Sequence, residues 1–387
     1  MRVLHVVASN QMRGAEISAL DLIGELNRRG VEQRVATIHR VPDGLDYGPQ
    51  SVSLTGSRAG SMARLHRLVR NWRPDVVQAH GGEPLKWLAG TLVGPGAPPV
   101  VYRRIGMTPS WMAGSLRKRG YGFMIRRAGA VVAVAEAAAR QLVDEFGVPS
   151  SSIELIGNAV DERRVRSSAE PREVKRRLHL DEDARVVLFA GALTDEKNPL
   201  ELVEIATRAC GALPDVTFLV AGDGPLRDDL AAAIALAGLG NRIGLLGSRT
   251  DLPDLIRACA AVIMTSRTEG IPGVAIEAGM ARRPVVAYAV GGLPEVVAHG
   301  RTGLLAPAGD APALADLLLQ VLNDPTGAEL LGEKAQARCL ELYGIEASGQ
   351  LFFDLYNRLR GAHHPRETQR SPLTGRDHDT TLTGEPR

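Results

Sequence analysis

Cysteine is scarce in this chain: Cys210, Cys259 and Cys339 are the three among 387 residues, far apart and in apolar surroundings. That spacing excludes a disulfide framework or a thiolate metal cluster and predicts buried thiols without chemistry. Long apolar runs are also missing. No uncharged stretch reaches the roughly 18 residues that a membrane span needs, and the longest candidate, 87–102, is broken by Gly94, Pro95, Gly96, Pro98 and Pro99. Net charge is nearly absent at +2, so nothing global favours wrapping nucleic acid. The opening MRVLHVVASN turns polar after a handful of apolar residues, unlike a secretory signal, and a cytoplasmic protein is expected.

What the chain does have is apolar material, 44% of residues, enough for two cores of ordinary size. Short β-branched runs alternate with stretches of helical periodicity, the pattern of a parallel sheet covered on both faces. Strands are expected at 3–8, 34–38, 75–79, 100–102, 130–135 and 152–156, and again at 185–190, 217–221, 243–246, 261–264 and 284–289. Between the two series, the polar stretch 161–178 reads as a linker with a short helix, which places the domain boundary near 158–165. The class is α/β with two doubly wound, Rossmann-like domains. The divisions are 1–160, 161–346, a final helix over 347–361, and a polar tail at 362–387 that is expected to be disordered. The tail contains DHD at Asp377–Asp379; without a scaffold to position these carboxylates, no metal site is expected there.

In open α/β sheets ligands sit beyond the carboxyl ends of the strands. One such loop, 269–277 (EGIPGVAIE), follows the expected strand 261–264 and runs into a helix through Ala281, with Pro272 in its first turn. Glycines bring the backbone close, and free amides at a helix start favour a phosphate. A diphosphate fits, and Glu269 and Glu277 would then accept from neutral sugar hydroxyls; the plainer reading is a helix start carrying Glu for its dipole. Gly222–Pro225 forms a tight strand-to-helix turn, either for geometry alone or for ligand contact. The first strand leads through SNQMRGAE into a helix, where Gly14 offers amides. This is not GxGxxG, which argues against a dinucleotide dehydrogenase.

Several segments in order, GNAVD at 157–161, GALTDEKNP at 191–199, VAGDGPL at 220–226, LLGSRTDLP at 245–253, 269–287, GGLPEVV at 291–297 and GRTGLLAPAGD at 300–310, carry a resemblance to a known family. The chain resembles family 4 of the retaining GT-B glycosyltransferases (glycosyl transferases group 1) over residues 1 to about 360, most strongly over 157–310. The resemblance implies two Rossmann-like domains whose parallel sheets face a cleft, with a final helix crossing back to the first. It implies transfer of a sugar from a nucleotide diphosphate donor, UDP- or GDP-sugar, to a glycan or lipid-linked acceptor, with retained configuration and without a metal or other cofactor. By the same token Lys197 grips the diphosphate, Glu269 with Gly270, Ile271, Pro272 and Gly273 holds the donor sugar, and Glu277 holds the ribose. Gly247, Ser248 and Arg249 lie near the base, and Gly14 approaches donor phosphate or acceptor. Lysine is rare here, five against 41 Arg, which sets Lys197 slightly apart; a solvated surface Lys is the alternative.

Two positions depart from the family pattern. Ala192 stands where an Arg is common, and Arg103 where the first domain usually has a histidine, so Arg103 or Arg104 is expected to restore the missing positive charge. His80, ending the strand DVVQAH, is a cleft group or, more simply, a structural one. Finally, 111–127 interleaves Trp, Met, Tyr, Phe and Ile with Arg117, Lys118, Arg119, Arg126 and Arg127. It is either a peripheral membrane or lipid-acceptor contact or a helix packed on the core. The alternative functions are a nucleotide-sugar epimerase of the same architecture and a non-catalytic relative that binds nucleotide sugar.

Overall fold

The computed structural model describes residues 1–11, 14–42, 44–92, 94, 96–106 and 116–363. The first series of apolar runs forms β1 (Arg2–Ser9), β2 (Glu32–His39), β3 (Ser51–Ser53), β4 (Val76–His80), β5 (Val100–Arg104), β6 (Ala130–Ala133) and β7 (Ile153–Leu155). They pair in parallel in the order β3-β2-β1-β4-β5-β6-β7. The second series forms β8 (Arg185–Ala190), β9 (Val216–Ala221), β10 (Ile243–Gly247), β11 (Ala261–Met264), β12 (Val285–Tyr288) and β13 (Gly303–Ala306). These too are parallel, in the order β10-β9-β8-β11-β12-β13. Buried on both faces, such strands lose the polar alternation of a half-exposed sheet and read as continuous aliphatic runs.

Each expected strand is present, and β3 and β13 are additional. The segment 161–178 holds two helices rather than one: Glu162–Val165, whose start is capped by the Asp161 side chain accepting from the Arg163 amide, and Pro171–Arg177 with Pro at its first turn. The final helix runs Ile345–His363, slightly longer than expected. Its Phe352, Leu355 and Tyr356 share a core with Val3, Leu22, Val76, Val101 and Val132, so it packs on the first domain. The two chain crossings touch, since the Val160 amide donates to the Tyr343 carbonyl at 3.0 Å. Among the described residues no helix is long and apolar enough to cross a membrane.

A polar layer lies within the first domain on the face covered by that last helix. His5 Nδ1 and His80 Nε2 are 3.0 Å apart, and His5 Nε2 is 2.8 Å from Gln33 Oε1. Because the Gln33 amide nitrogen already donates to the Ile23 carbonyl and to Asn27 Oδ1, its oxygen is the acceptor. His5 therefore carries its proton on Nε2, and His80 donates to His5 Nδ1. His80 thus takes the structural role of the two that the sequence allowed. Burial disfavours the charged form of both rings, pushing His5 down to about 4 and His80 well below its ordinary value. The unfolded chain takes up these protons near pH 6.5 and the folded one does not, so stability is full above that value and falls as pH drops from about 6.5 towards 4. The Tm difference between pH 7 and pH 5 is expected to shrink in His80→Gln; an unchanged difference would assign the acid sensitivity elsewhere.

Candidate active site

Where strand order reverses in an open parallel sheet, the loops leaving neighbouring strands diverge and open a crevice. In the second sheet that reversal lies between β8 and β11, and their loops carry Lys197 and Glu269. Lys197 Nζ donates to Glu269 Oε1 at 2.5 Å, and Ser266 Oγ donates to the same oxygen at 2.6 Å. Glu269 is buried, while the Lys197 side chain is 28% exposed, so the pair sits at the rim of the crevice. The two loops are stitched together. Thr265 Oγ1 donates to the carbonyls of Lys197 and Asn198 at 3.0 and 2.9 Å, and the Arg267 amide donates to the Glu196 carbonyl at 2.9 Å.

Glycines allow these backbones to meet. A Cβ at Gly222, where φ is +155°, or at Gly224 would fall under 3.0 Å from the carbonyl oxygen of Gly191 or Leu193, so the 222–225 turn serves as packing for the lysine loop. At Gly291, where φ is +54°, a Cβ would strike the Glu269 carbonyl. A Cβ at Gly270 would fall 2.3 Å from the carbonyl oxygen of Ile105, in the first domain just past β5. The helix Gly273–Met280 then begins, and Pro272 is its N-cap rather than part of its first turn. Pro272 offers no side-chain cap, so no cap side chain claims the first-turn amides.

Glu277, on the same helix, is tied into both domains. Its Oε1 accepts from Arg164 Nη2 at 2.9 Å. Arg164 also donates to Asp21, from Nε at 3.1 Å and from Nη2 at 3.0 Å; Asp21 belongs to the first-domain helix Gly14–Arg28. Burial works against the Arg164 charge, but Glu277 and Asp21 outweigh it and hold the guanidinium above the ordinary arginine value. A second tie runs beside the first: Asn158 Nδ2 donates to the Ile271 carbonyl at 3.1 Å, and Asn158 Oδ1 accepts from Ser18 Oγ and from Arg103 Nη2. Asp21, Ser18 and Arg164 carry no signal in the sequence, where they read as solvated polar residues. Asn158 was visible only as part of GNAVD.

The structure does not bring Arg103 and Arg104 to the Lys197–Glu269 pair. Arg103 is 1% exposed, lies 5.4 Å over the Phe352 ring, and donates to Ser18 and Asn158. Burial lowers its guanidinium to about 10. Arg104, also buried, donates to Gln141 at 2.6 Å and lies over Phe146. The charge absent at Ala192 is therefore not replaced from β5. Gly247 ends β10 with φ +68°, and Arg249 beside it is paired with Asp251 at 2.6 Å, next to Ser248. Gly14 opens its helix, and among the described residues no atom beyond its chain neighbours and its own helix backbone lies within 4 Å of where a Cβ would be. Of the basic aromatic segment, 111–115 lies outside the described residues, as do Asp377–Asp379 and nearly all of the tail. The remainder forms the helix Leu116–Arg126, with Tyr121 and Ile125 buried, Lys118 paired with Glu145, and Arg126 donating to the Phe146 carbonyl.

Two family descriptions match successive parts of the chain: Glycosyltransferase Family 4 over residues 12–164 and Glycosyl transferases group 1 over residues 171–338. The chain is 31% identical over 328 residues to the 2-deoxystreptamine glucosyltransferase of Streptomyces kanamyceticus, covering 78% of this chain and 82% of that protein. It is 29% identical over 338 residues to the 2-deoxystreptamine N-acetyl-D-glucosaminyltransferase of Streptomyces fradiae, covering 78% and 80%. Among solved structures, Anabaena HepE in complex with UDP and glucose matches with a TM-score of 0.81 at 23% identity, over 92% of this chain and 100% of that one. WaaG, a glycosyltransferase involved in lipopolysaccharide biosynthesis, matches at 0.76 with 15% identity, over 92% and 99%. At those identities the structures attest a shared fold.

Proposed function

The chain belongs to the family 4 glycosyltransferases, the glycosyl transferases group 1, and from that premise we propose that it moves a sugar from a nucleotide diphosphate donor with retention and without a metal. The carrying observation is the Lys197–Glu269 contact at the strand-order reversal, beside a helix start that lacks a side-chain cap. In this reading a donor diphosphate takes Lys197 away from Glu269 and also meets the amides of Gly270–Gly273. The freed Glu269 oxygen then accepts from sugar hydroxyls, and Glu277 meets the ribose. The base lies along 247–249, and Gly14 lines the opposite wall.

Lys197 and the helix start stabilise charge developing on the leaving diphosphate, which is where electrostatic preorganisation acts most strongly. The sugar–diphosphate C–O bond breaks as the acceptor oxygen bonds to the same face of the anomeric carbon. The acceptor proton passes to a departing phosphate oxygen, so no protein base is required. UDP- and GDP-sugars are the proposed donors; the acceptor is a hydroxylated glycan, a lipid-linked sugar or, given the two Streptomyces relatives, an aminocyclitol. The epimerase alternative gains nothing from these relatives, which are named for transfer. Contact of 111–127 with an anionic surface rests on Phe123, 56% exposed with Arg127 over its ring.

A thermal-shift comparison of UDP-, GDP- and ADP-sugars tests the donor site. Ligand at about a hundred times its Kd stabilises the folded state by about 2.7 kcal/mol, so one donor class is expected to raise Tm by several degrees and the others little. Nucleotide release that requires acceptor would complete the case. No shift with any donor at millimolar concentration would overturn it.

A further inference from the structure

Glu277 and Asp21 lie in different domains, and one side chain of the connecting segment holds both. Arg164 sits on the single-turn helix Glu162–Val165, fixed at one end by the Asp161 cap and at the other by the buried Val165. The Asp161 amide itself donates to Asp21 Oδ2 at 3.4 Å, so Asp21 is held by backbone as well as side chain. The Arg164 fork meets Asp21 with two nitrogens and Glu277 with one, and these carboxylates are 5% and 8% exposed. A planar guanidinium satisfies two carboxylates at once; a lysine ammonium is a point charge that does not reproduce the fork. Two poorly hydrated carboxylates facing one another without this cation would repel and swing apart. Held by one oxygen, Glu277 keeps the other to accept from hydroxyl groups.

We propose that Arg164 is a positioning residue for donor recognition: it sets the orientation in which Glu277 meets the ribose and, through Asp21, makes that orientation depend on the placement of the first domain. The inference rests on the reading that Glu277 meets the ribose. Its consequence is that gripping the nucleotide and docking the two domains are one linked event, each strengthening the other by the same factor. Asp21 thereby influences donor affinity without touching the donor.

The test uses the full-length protein with the donor that gives the largest thermal shift, its nucleoside diphosphate and the 2′-deoxy counterpart. Arg164→Met is expected to raise the donor KM about tenfold, within the usual range of coupling between sites, with kcat changed much less. Arg164→Lys should fall between the two, and Asp21→Asn should raise KM about threefold. Asp21→Asn added to Arg164→Met should cost nothing further, because its effect passes through the missing guanidinium. The preference for ribose over 2′-deoxyribose should collapse in Arg164→Met as it does in Glu277→Ala. A wild-type preference persisting in Glu277→Ala would sink the ribose reading itself. A normal Glu277→Ala result beside an Arg164→Met protein with lowered Tm but unchanged KM and ribose preference would show a purely structural bridge and overturn the proposal. Should Arg164→Met fail to fold, Asp21→Asn decides, since an unchanged KM there is equally fatal.

Discussion

Lys197→Ala is expected to lower kcat by about 10²- to 10³-fold, the scale seen when one preorganised donor to a developing anion is removed. The loss should be at the severe end because neither arginine of β5 shares the task. Ala192, in the same loop as Lys197, carries no charge, and Arg103 and Arg104 are committed to Ser18, Asn158 and Gln141 inside the first domain. Folding should survive, since the loop is also fastened by Thr265 through the carbonyls of Lys197 and Asn198, contacts that the substitution leaves in place. Steady-state kinetics by nucleotide release, with Tm as a control, measure this. A variant retaining kcat within threefold of the parent would remove Lys197 from the chemistry.

Gly270→Ala is the second large effect. The new methyl group would land under 3.0 Å from the Ile105 carbonyl oxygen, backbone against backbone across the two domains, where neither side has a flexible end to yield. Either the domains separate by about an ångström or the loop carrying Glu269 bends, and a displacement of that size at a reacting centre costs on the order of 10²-fold in rate. Stability should change little, because the clash lies between domains and not within either core. The expected pattern is a steep fall in kcat, a Tm within a few degrees of the parent and a slightly larger radius of gyration by small-angle scattering. Near-normal turnover would mean that the close approach of Gly270 to Ile105 plays no part in the reaction.

The two-sheet plan was legible because strands buried on both faces leave uninterrupted aliphatic runs; 185–190 and 261–264 were read to the residue. The edge strand β3 was not legible, since Ser51–Ser53 is short and half-buried and carries no hydrophobic pattern. Lys197 and Glu269 were readable as strand-end residues, but their contact follows from β8 lying beside β11, a fact of topology. Arg103 was misjudged for want of side-chain parity. It shares a face of β5 with Val101, and that face lies under the last helix, so its guanidinium turns into the core and stacks on Phe352. Arg164 was hidden for another reason: in an arginine-rich polar segment nothing local distinguishes the one that meets a carboxylate 143 positions earlier.

Phe352, Leu355 and Tyr356 complete a core whose other members include Val3, Leu22 and Val101. On the ribosome, therefore, the domain that emerges first is the one finished last. The later-made sheet is able to close while its predecessor still exposes an apolar floor, and a nascent chain stopped short of Phe352 would carry intact donor loops on a protein prone to aggregate.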